Sequence, residues 1–363
     1  MCIVSCCLKI KGYYTMKTEI IAITEKNRAD ALQKAGKIIK AGGLVAFPTE
    51  TVYGLGGDAL NPASSQKIYE AKGRPSDNPL IVHIATMEAL PALVEEMPAA
   101  AKKLANLFWP GPLTMIFKKS DLVPRETTGG LDTVAVRMPV HDVALDFIEA
   151  AGGYVAAPSA NRSGRPSPTT AAYVAEDMEG RIEMILDGGQ ATLGLESTIV
   201  DLTVEPPMIL RPGFVTEEML AVALGEVAVD ETLLCADDRQ APKAPGMKYR
   251  HYAPQGALVI VRGEADNVAE WINEKLSAGR AEHKKTGVIA TDETIDRYEA
   301  DVCFSIGRKS NVRAAAERLY CILRECDDEG VELIFSECLD SEGVGAAVMN
   351  RLMKAAGYHV IDV

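Results

Sequence analysis

The chain has 363 residues and a formal net charge of −13, with 47% hydrophobic and 25% charged residues. This length accommodates two domains with hydrophobic cores, and the composition is typical of a globular protein. A strongly acidic chain lacks the overall positive charge with which proteins neutralise nucleic-acid phosphates, so we expect weak or no direct nucleic-acid binding. Cations that cluster on such a chain are informative, because the bulk composition does not supply them.

The eight cysteines include no Cys-x-x-Cys pair and the five histidines lack the spacing of zinc ligands, which argues against a structural zinc site. No apolar run reaches membrane-spanning length, and the first residues lack the features of a signal peptide. We therefore expect a cytoplasmic protein without membrane contact. We also expect residues 1–16 to be an N-terminal extension that precedes the first domain.

Strand-like and helix-like segments alternate over residues 17–225, the predicted first domain. Helices are predicted at 28–40, 62–72, 98–108, 141–151, 169–178 and 216–224. Strands are predicted at 20–23, 44–47, 80–84, 113–117, 133–138, 154–157, 182–186, 198–202 and 208–210. The stretch 48–56 is predicted to be a polar, glycine-rich loop. So many strands exceed a simple alternating layout, so we expect a large, twisted, mixed sheet with helices packed on it.

The regular pattern stops at 226–256, a proline-rich stretch predicted to be a linker. Its segment 244–254 holds two tyrosines, a histidine and two cations, which fits either aromatic groups docked on a domain or a lid over a site. Strands and helices alternate again over 257–363, which predicts a smaller, doubly wound parallel α/β domain. Because Gly-x-Gly-x-x-Gly does not follow its first strand, we predict no dinucleotide site there.

Elements of this second domain follow the same two periodicities. The predicted strands are 257–261, 287–290, 302–306 and 331–335. The predicted helices are 266–278, 311–326 and 345–356.

Two tripeptides far apart in the chain, Lys72-Gly73-Arg74 and Ser159-Ala160-Asn161, are predicted to form two walls of one anion site. Fixed cations, small polar donors and backbone that can approach closely suit a nucleotide phosphate. The first tripeptide follows a predicted helix, whose dipole favours cations at that end without any ligand. A solvated turn is therefore the alternative interpretation.

These tripeptides belong to an ordered set of motifs that extends over most of the chain. In sequence order the motifs are Pro48-Thr49-Glu50-Thr51-Val52-Tyr53-Gly54-Leu55, Lys72-Gly73-Arg74-Pro75, Asn78-Pro79-Leu80-Ile81-Val82-His83, Pro158-Ser159-Ala160-Asn161, Glu196-Ser197-Thr198-Ile199-Val200-Asp201, Leu210-Arg211-Pro212-Gly213 and Pro245-Gly246-Met247-Lys248-Tyr249-Arg250-His251-Tyr252-Ala253-Pro254. Together they closely resemble the YrdC-like family and, with the linker and second domain, the long form of the L-threonylcarbamoyladenylate synthases. The resemblance covers residues 17–363.

The resemblance implies an enzyme, a nucleotidyltransferase that joins L-threonine, bicarbonate and ATP into threonylcarbamoyl-AMP and pyrophosphate. A tRNA threonylcarbamoyl-transferase complex would then use the product to modify an adenosine next to the anticodon. Magnesium (Mg²⁺) would arrive with ATP, held chiefly by the phosphates and not by the protein. No firm general base is identified: His83 is a candidate, and substrate carbonate could serve.

The resemblance also implies the site residues. Lys72 and Arg74 would bind the triphosphate, and Ser159 and Asn161 would donate from the opposite wall, which makes these four the predicted catalytic set. Further predicted ATP-binding residues are Asn78, Thr133, Ser167, Arg211 and Tyr252. The predicted L-threonine-binding residues are Thr51, His83, Arg137, Ala157 and Ser197. A lid that excludes water from the labile product would be formed by Tyr249, His251 and Tyr252.

Most of these residues have a structural alternative. Arg211 could be a surface cation, Arg137 a strand-end ion pair and His83 a satisfied core histidine. Asn78, Thr133 and Ser167 could be turn or cap residues.

Two competing functions also stay open. One is a carbamoyltransferase related to hydrogenase maturation factors, although this chain lacks their cysteine zinc motifs. The other is an RNA-binding module, against which the acidity argues. The second domain could dock a partner or steady the linker.

Overall fold

The computed structural model describes residues 17–230, 233, 244–245, 251–339 and 342–363. Within these ranges an eleven-stranded mixed sheet is followed by a five-stranded parallel sheet. This arrangement confirms the predicted fold class, a large mixed sheet with helices plus a smaller doubly wound parallel α/β unit. The predicted N-terminal extension, Tyr249 and most of the predicted linker lie outside the described residues.

The first sheet runs through the part of the chain before the predicted linker. Its strands are β1 Glu19–Ala22, β2 Val45–Phe47, β3 Gly54–Asp58, β4 Ile81–His83, β5 Leu113–Lys118, β6 Thr133–Arg137, β7 Val155–Ala157, β8 Met184–Asp187, β9 Thr198–Asp201, β10 Met208–Arg211 and β11 Ala228–Val229. Across the sheet they lie in the order β1-β8-β2-β3-β7-β4-β6-β5-β9-β10-β11. The helices are α1 Arg28–Lys40, α2 Pro62–Lys72, α3 Leu90–Leu93, α4 Ala99–Phe108, α5 Asp142–Ala151, α6 Ala171–Met178 and α7 Glu217–Leu224.

Strand β3 corrects the sequence prediction, which assigned its first residues to a loop. A Cβ atom at Gly54 would lie 3.0 Å from the Phe47 ring, and one at Gly56 would lie 2.9 Å from the Val155 side chain. The glycines therefore let β3 run between β2 and β7 beneath bulky neighbours. Their sequence resembles a loop because close packing, and not β propensity, favours glycine here.

Helix α2 places the first cationic tripeptide. The Asn61 side chain caps its start by accepting from the Ala63 N–H at 3.0 Å, and Pro62 occupies the first turn. Gly73 ends the helix in the left-handed conformation, with φ of 64°, and the Arg74 N–H returns to the Tyr69 carbonyl. Lys72 and Arg74 therefore leave a fixed helix end, as the sequence predicted.

The second sheet is built from strands that alternate with long helices. Its elements are β12 Ala257–Arg262, α8 Ala265–Ala281, β13 Thr286–Ala290, β14 Val302–Ser305, α9 Val312–Asp328, β15 Leu333–Glu337, α10 Val344–Ala355 and β16 Val360–Asp362. The strands lie in the order β14-β13-β15-β12-β16. Short strands β11 and β16, at the ends of their sheets, were not predicted. No helix of the described ranges combines the length and the apolar character that crossing a membrane requires.

Neighbouring residues on these strands pack into different cores, as the two-residue period of a strand requires. Val261 and Val288 belong to a cluster with α8, whereas Ile260 and Ile289 belong to a cluster with α9 and α10. Both faces of the sheet are therefore covered, which explains its apolar strands.

The α9 and α10 side of the second domain also packs on the first domain. Val52, Leu195 and Tyr252 join the same apolar cluster as the residues of α9 and α10. A Cβ atom at Gly194 would lie 2.5 Å from the Ala316 carbonyl oxygen, so α9 lies directly on this turn. Because Val52 lies within one predicted motif and Leu195 directly precedes another, the domain boundary lies beside the predicted site.

Candidate active site

One cavity at the domain boundary gathers side chains from distant stretches of the chain. The predicted site residues that line it are Thr51, Lys72, Arg74, His83, Arg137, Ala157, Ser159, Asn161, Ser197, Arg211, His251 and Tyr252. Strand ends, the end of α2 and the linker each contribute part of this lining. The cations converge although the chain as a whole is acidic.

Lys72 connects the two predicted walls. Its ammonium donates to the carbonyl oxygens of Ser159 and Asn161, both at 2.5 Å, and lies 3.4 Å from the Asn161 side-chain oxygen. Burial, followed by the nearby charge of Arg74, lowers the pKa of Lys72 well below its usual value. A bound anion would relieve this electrostatic penalty, because an opposite charge favours the ammonium form.

The second wall is held by its own hydrogen bonds. The Ser159 hydroxyl donates to the Asn161 side-chain oxygen at 2.5 Å. The Asn161 amide nitrogen donates to the carbonyls of Arg162 and Arg165, each at 2.9 Å. Both side chains therefore use their donors to order the loop, so donation to a ligand by Ser159 or Asn161 stays a prediction and requires one of these contacts to open.

Arg74 is oriented by Asn78, which does not line the cavity. Nη2 of Arg74 donates to the Asn78 side-chain oxygen at 2.6 Å and to the Pro79 carbonyl at 3.1 Å. Nη1 makes no hydrogen bond with any residue that the structure describes. Asn78 thus holds one edge of the guanidinium, and Nη1 at the other edge has no partner within the described part of the chain.

Arg211 and Ser197 form a second polar group on the cavity. Nε of Arg211 donates to the Ser197 carbonyl at 3.0 Å, and Nη2 donates to the Ser197 hydroxyl at 3.2 Å. The same hydroxyl lies 2.7 Å from the Thr114 hydroxyl. Arg211 is only 5% exposed, so the alternative of a surface cation is wrong.

Arg137 faces protein oxygens on all sides of its guanidinium. Nη1 donates to the Thr51 hydroxyl at 2.8 Å, Nε to the Gly111 carbonyl at 3.3 Å, and Nη2 lies 2.7 Å from Glu50 Oε1. This buried pair is the strand-end ion pair considered from the sequence. Bidentate binding of a substrate carboxylate by Arg137 stays a prediction, and it requires one of these contacts to open.

His83 is a buried histidine that also reaches the cavity. It is 4% exposed, its Nδ1 lies 3.1 Å from the Ile81 carbonyl oxygen, and its ring packs edge-on against Phe47. Burial, followed by the charge of Arg137, lowers the pKa of His83 to about 3. The imidazole is therefore neutral at physiological pH.

Glu196 lines the cavity but was absent from the predicted site residues. Its carboxylate accepts from the Ser167 hydroxyl at 2.6 Å, from the Tyr320 hydroxyl at 2.8 Å and from Arg351 Nε at 3.1 Å. Burial alone would raise its pKa, but Arg351 and Arg211 with these hydrogen bonds lower it to about 2. The sequence did contain a signal for Glu196, because it directly precedes the predicted site residue Ser197 in one motif. A carboxylate beside an anion site also needs a cationic partner, which Arg351 supplies here.

Replacing Glu196 with glutamine is expected to remove an acid-sensitive contribution to stability. Between pH 4.5 and about 2 the unfolded chain binds a proton that folded Glu196 does not, so acid favours unfolding in this window. The effect is about 3 kcal/mol. In urea unfolding, the stability difference between wild type and Glu196→Gln should shrink as the pH falls from 4.5 to 2. A difference that does not change with pH would contradict the assignment.

Two further predicted residues do not line the cavity. Thr133 lies at the start of β6, four residues before Arg137 and therefore about 13 Å along the strand. Ser167 is fully buried and donates to Glu196, so it supports the lining from behind. Tyr249, of the predicted lid, lies outside the described residues.

The described end of the linker covers one side of the cavity. The Tyr252 ring packs on Tyr320, with ring centroids 5.2 Å apart, and the His251 ring lies beside it. Tyr252 has a φ of 64°, in the left-handed region that residues with a side chain rarely adopt. The linker turns at this point, and both rings lie on the cavity.

Comparison with known proteins identifies both halves of the chain. Residues 37–213 match the Sua5_yciO_yrdC family, described as Telomere recombination. Residues 215–357 match the Sua5_C family, described as the C-terminal domain of threonylcarbamoyl-AMP synthase.

Similar proteins extend over nearly the whole chain. The threonylcarbamoyl-AMP synthase of Pyrococcus abyssi (strain GE5 / Orsay) is 48% identical over 95% of this chain and 100% of its own length. That of Bacillus subtilis (strain 168) is 44% identical over 98% of this chain and 100% of its own. The crystal structure of P. abyssi Sua5 complexed with L-threonine, 48% identical, superposes with a TM-score of 0.90 over 95% of this chain and 100% of that one. The chain therefore belongs to the threonylcarbamoyl-AMP synthase family, in the two-domain form that carries both the Sua5_yciO_yrdC and the Sua5_C domains.

Proposed function

We propose that this protein condenses L-threonine, bicarbonate and ATP into threonylcarbamoyl-AMP and pyrophosphate. One observation carries the proposal: in a member of this family, Lys72, Arg74 and Arg211 come from distant stretches of an acidic chain to line one cavity. We prefer this function to carbamoyl transfer and RNA binding because both domains match the family along nearly their whole length.

The reaction explains why such a cavity needs cations. The threonine amine attacks carbon dioxide with loss of a proton, or bicarbonate with loss of water, to give a carbamate, and a carbamate oxygen then attacks the α-phosphorus while pyrophosphate leaves. Triphosphate, threonine carboxylate and carbamate are all anions, and they repel one another strongly where water is excluded. Fixed cations and oriented donors offset this repulsion, and holding the reactants in place supplies much of the rate.

The contacts suggest different roles for the three cations. Among the described residues Arg74 keeps a free donor, Nη1, and it is the best candidate for a direct phosphate contact. Lys72 already donates to two carbonyl oxygens, so it would contribute charge and hold the wall of Ser159 and Asn161 against the phosphates. Arg211, bound to Ser197, would face a phosphate or the threonine from the opposite side.

Threonine would occupy the side of the cavity formed by the ends of β4, β6 and β7. His83, Arg137 and Ala157 lie at these strand ends, with Thr51 and Ser197 beside them. The similar P. abyssi protein was crystallised as a complex with L-threonine, which supports an amino-acid site in this protein. Hydroxyl groups of Thr51 and Ser197 could pair with the substrate hydroxyl, which would reject valine by leaving buried polar groups unpaired.

Neither the metal nor the proton acceptor is assigned to a protein side chain. Glu196 is the carboxylate that lines the cavity among the described residues, and Ser167, Tyr320 and Arg351 already occupy its oxygens. Magnesium would therefore arrive bound to the phosphates of ATP. With a pKa of about 3, His83 takes up a proton poorly at neutral pH, so substrate carbonate is the better acceptor for the amine proton.

Substrates of this size require part of the lining to move. The cavity has a free volume of about 60 Å³. Ligand pockets for small molecules usually have about 300–1,000 Å³. Pro245, His251 and Tyr252 of the linker border the cavity. Their displacement would admit ATP, and their return would protect the labile mixed anhydride from water. The product would pass in the cytoplasm to a tRNA threonylcarbamoyl-transferase complex.

Pyrophosphate release tests the proposed function. With ATP, magnesium and bicarbonate, we expect release that depends on L-threonine and is at least about tenfold slower with L-serine or L-valine. Omission of bicarbonate should abolish it. Release that is independent of the amino acid, or salt-sensitive RNA binding in a filter assay without any turnover, would contradict the proposal.

A further inference from the structure

The second domain reaches the cavity through the Glu196 carboxylate. The Tyr320 hydroxyl of α9 lies 3.0 Å from Glu196 Oε1 and 2.8 Å from Oε2, and Arg351 of α10 donates to Oε2 at 3.1 Å. Tyr320 and Arg351 are both completely buried. Both oxygens of a cavity-lining carboxylate are thus oriented by side chains from the other domain.

Arg351 also connects the two loops that carry Ser197 and Arg211. Its Nη2 donates to the Glu196 backbone carbonyl at 3.3 Å, and its Nη1 donates to the Pro212 carbonyl at 2.6 Å. Glu196 precedes Ser197, and Pro212 follows Arg211. One guanidinium therefore fixes the backbone on either side of the contact between Arg211 and Ser197.

We propose that Tyr320 and Arg351 are positioning residues for the reaction: they hold Glu196, and through it Ser197 and Arg211, in the arrangement that the cavity requires. Neither side chain lines the cavity, so both act through groups that do. The kinetic test of this inference rests on the proposed function.

Simple domain adhesion does not account for this network. The interface already buries an apolar cluster that includes Val52, Leu195 and Leu319, and phenylalanine at position 320 would pack there equally well. A buried polar network is costly unless every member is satisfied, and it fixes geometry when it is. Here the network ends on atoms of the cavity lining, where orientation decides how substrates are held.

Tyr320→Phe tests the inference by removing one hydroxyl. We expect kcat for threonine-dependent pyrophosphate release to fall about tenfold, with KM for threonine and ATP changed less than about threefold, because a hydrogen bond to a carboxylate is lost while the cavity remains. Tyr298→Phe is the matched control, since the Tyr298 hydroxyl donates to Glu337 at 2.6 Å in the same domain, away from this cavity. Its kcat should equal that of the wild type at comparable loss of thermal stability.

A double-mutant cycle tests the route through Glu196. If Tyr320 acts through that carboxylate, adding Tyr320→Phe to Glu196→Gln should lower kcat by less than about twofold beyond Glu196→Gln alone. Arg351→Lys, which keeps the charge but loses the forked contacts, should lower kcat at least as much as Tyr320→Phe. If Arg351→Lys fails to fold, the cycle of Tyr320→Phe and Glu196→Gln still tests the inference, because Tyr320→Phe removes only one hydroxyl.

Three results would overturn the inference. They are a kcat of Tyr320→Phe within twofold of the wild type, an equal loss in Tyr298→Phe, and fully additive losses in the cycle. Failure of the proposed function is distinguishable, because the wild type itself would then release no threonine-dependent pyrophosphate.

Discussion

Replacing Lys72 with methionine is expected to lower kcat/KM for threonine-dependent pyrophosphate release at least about a hundredfold. The ammonium is buried at 3% exposure and lies between the two walls of the cavity, where its charge is poorly screened by water. Methionine keeps most of the length of the side chain but removes the charge. It also leaves the carbonyl oxygens of Ser159 and Asn161 without this donor, so the wall should loosen.

The control for Lys72 lies five residues earlier on the same helix. Lys67 also donates to a backbone carbonyl, that of Gly42, at 2.6 Å, but its side chain is exposed and away from the cavity. Lys67→Met should keep kcat/KM within about twofold of the wild type. Circular dichroism would verify that both variants fold. Lys72→Met with near-normal turnover would show that the converging cations are structural and would remove the main support for the proposed function.

The residues that line the cavity could largely be predicted because they belong to short contiguous motifs. Lys72 and Arg74 share a tripeptide, and helix α2, with its Asn61 cap and Gly73 end, directs both toward the cavity. Hydrogen bonding within the site could not be predicted in the same way. The sequence does not indicate that Glu50 faces Arg137 or that the Asn161 amide donates to a carbonyl oxygen of its own loop.

Contacts between the domains were the least predictable part of the site. Glu196 meets Tyr320 and Arg351 only because α9 and α10 pack on the first domain, and no local pattern specifies that packing. For the same reason the sequence left the role of the second domain open. Its own helices and strands other than β16, by contrast, were predicted from their hydrophobic patterns, because the residues of a strand point alternately to two apolar cores.

The fold shows a similar division between local and tertiary causes. Helix α1 was predicted at its observed bounds because its apolar positions repeat at helical spacing and its partner surface is a single core. Strand β3 was missed because its glycines are required by the bulky side chains of Phe47 and Val155 on neighbouring strands, which leave no room for a Cβ atom. Tertiary packing overrides propensity where two backbones approach closely.

Arg324→Met is expected to cause a large loss of stability, because it breaks a buried ion pair at the domain boundary. Nη2 of Arg324 lies 2.8 Å from Asp177 Oδ2 and donates to the Pro166 carbonyl at 2.7 Å, with side-chain exposures of 1% for Arg324 and 0% for Asp177. Removing one partner of such a pair leaves the other charge less compensated in a buried position, which costs about 3 kcal/mol. Arg165 remains beside Asp177 and keeps the loss at this level.

An exposed pair provides the comparison that makes this prediction specific. Arg262 contacts Asp362 at 2.5 Å, yet their side chains are 61% and 68% exposed, so Arg262→Met should lower stability far less than Arg324→Met does. Urea unfolding of both variants at neutral pH, followed by circular dichroism, measures the difference. Equal losses would mean that Arg324 is solvated in solution and that its pair with Asp177 does not help to hold the domains together. A larger loss for Arg324→Met means that the buried pair helps to keep α9 on the first domain, where Tyr320 can reach Glu196.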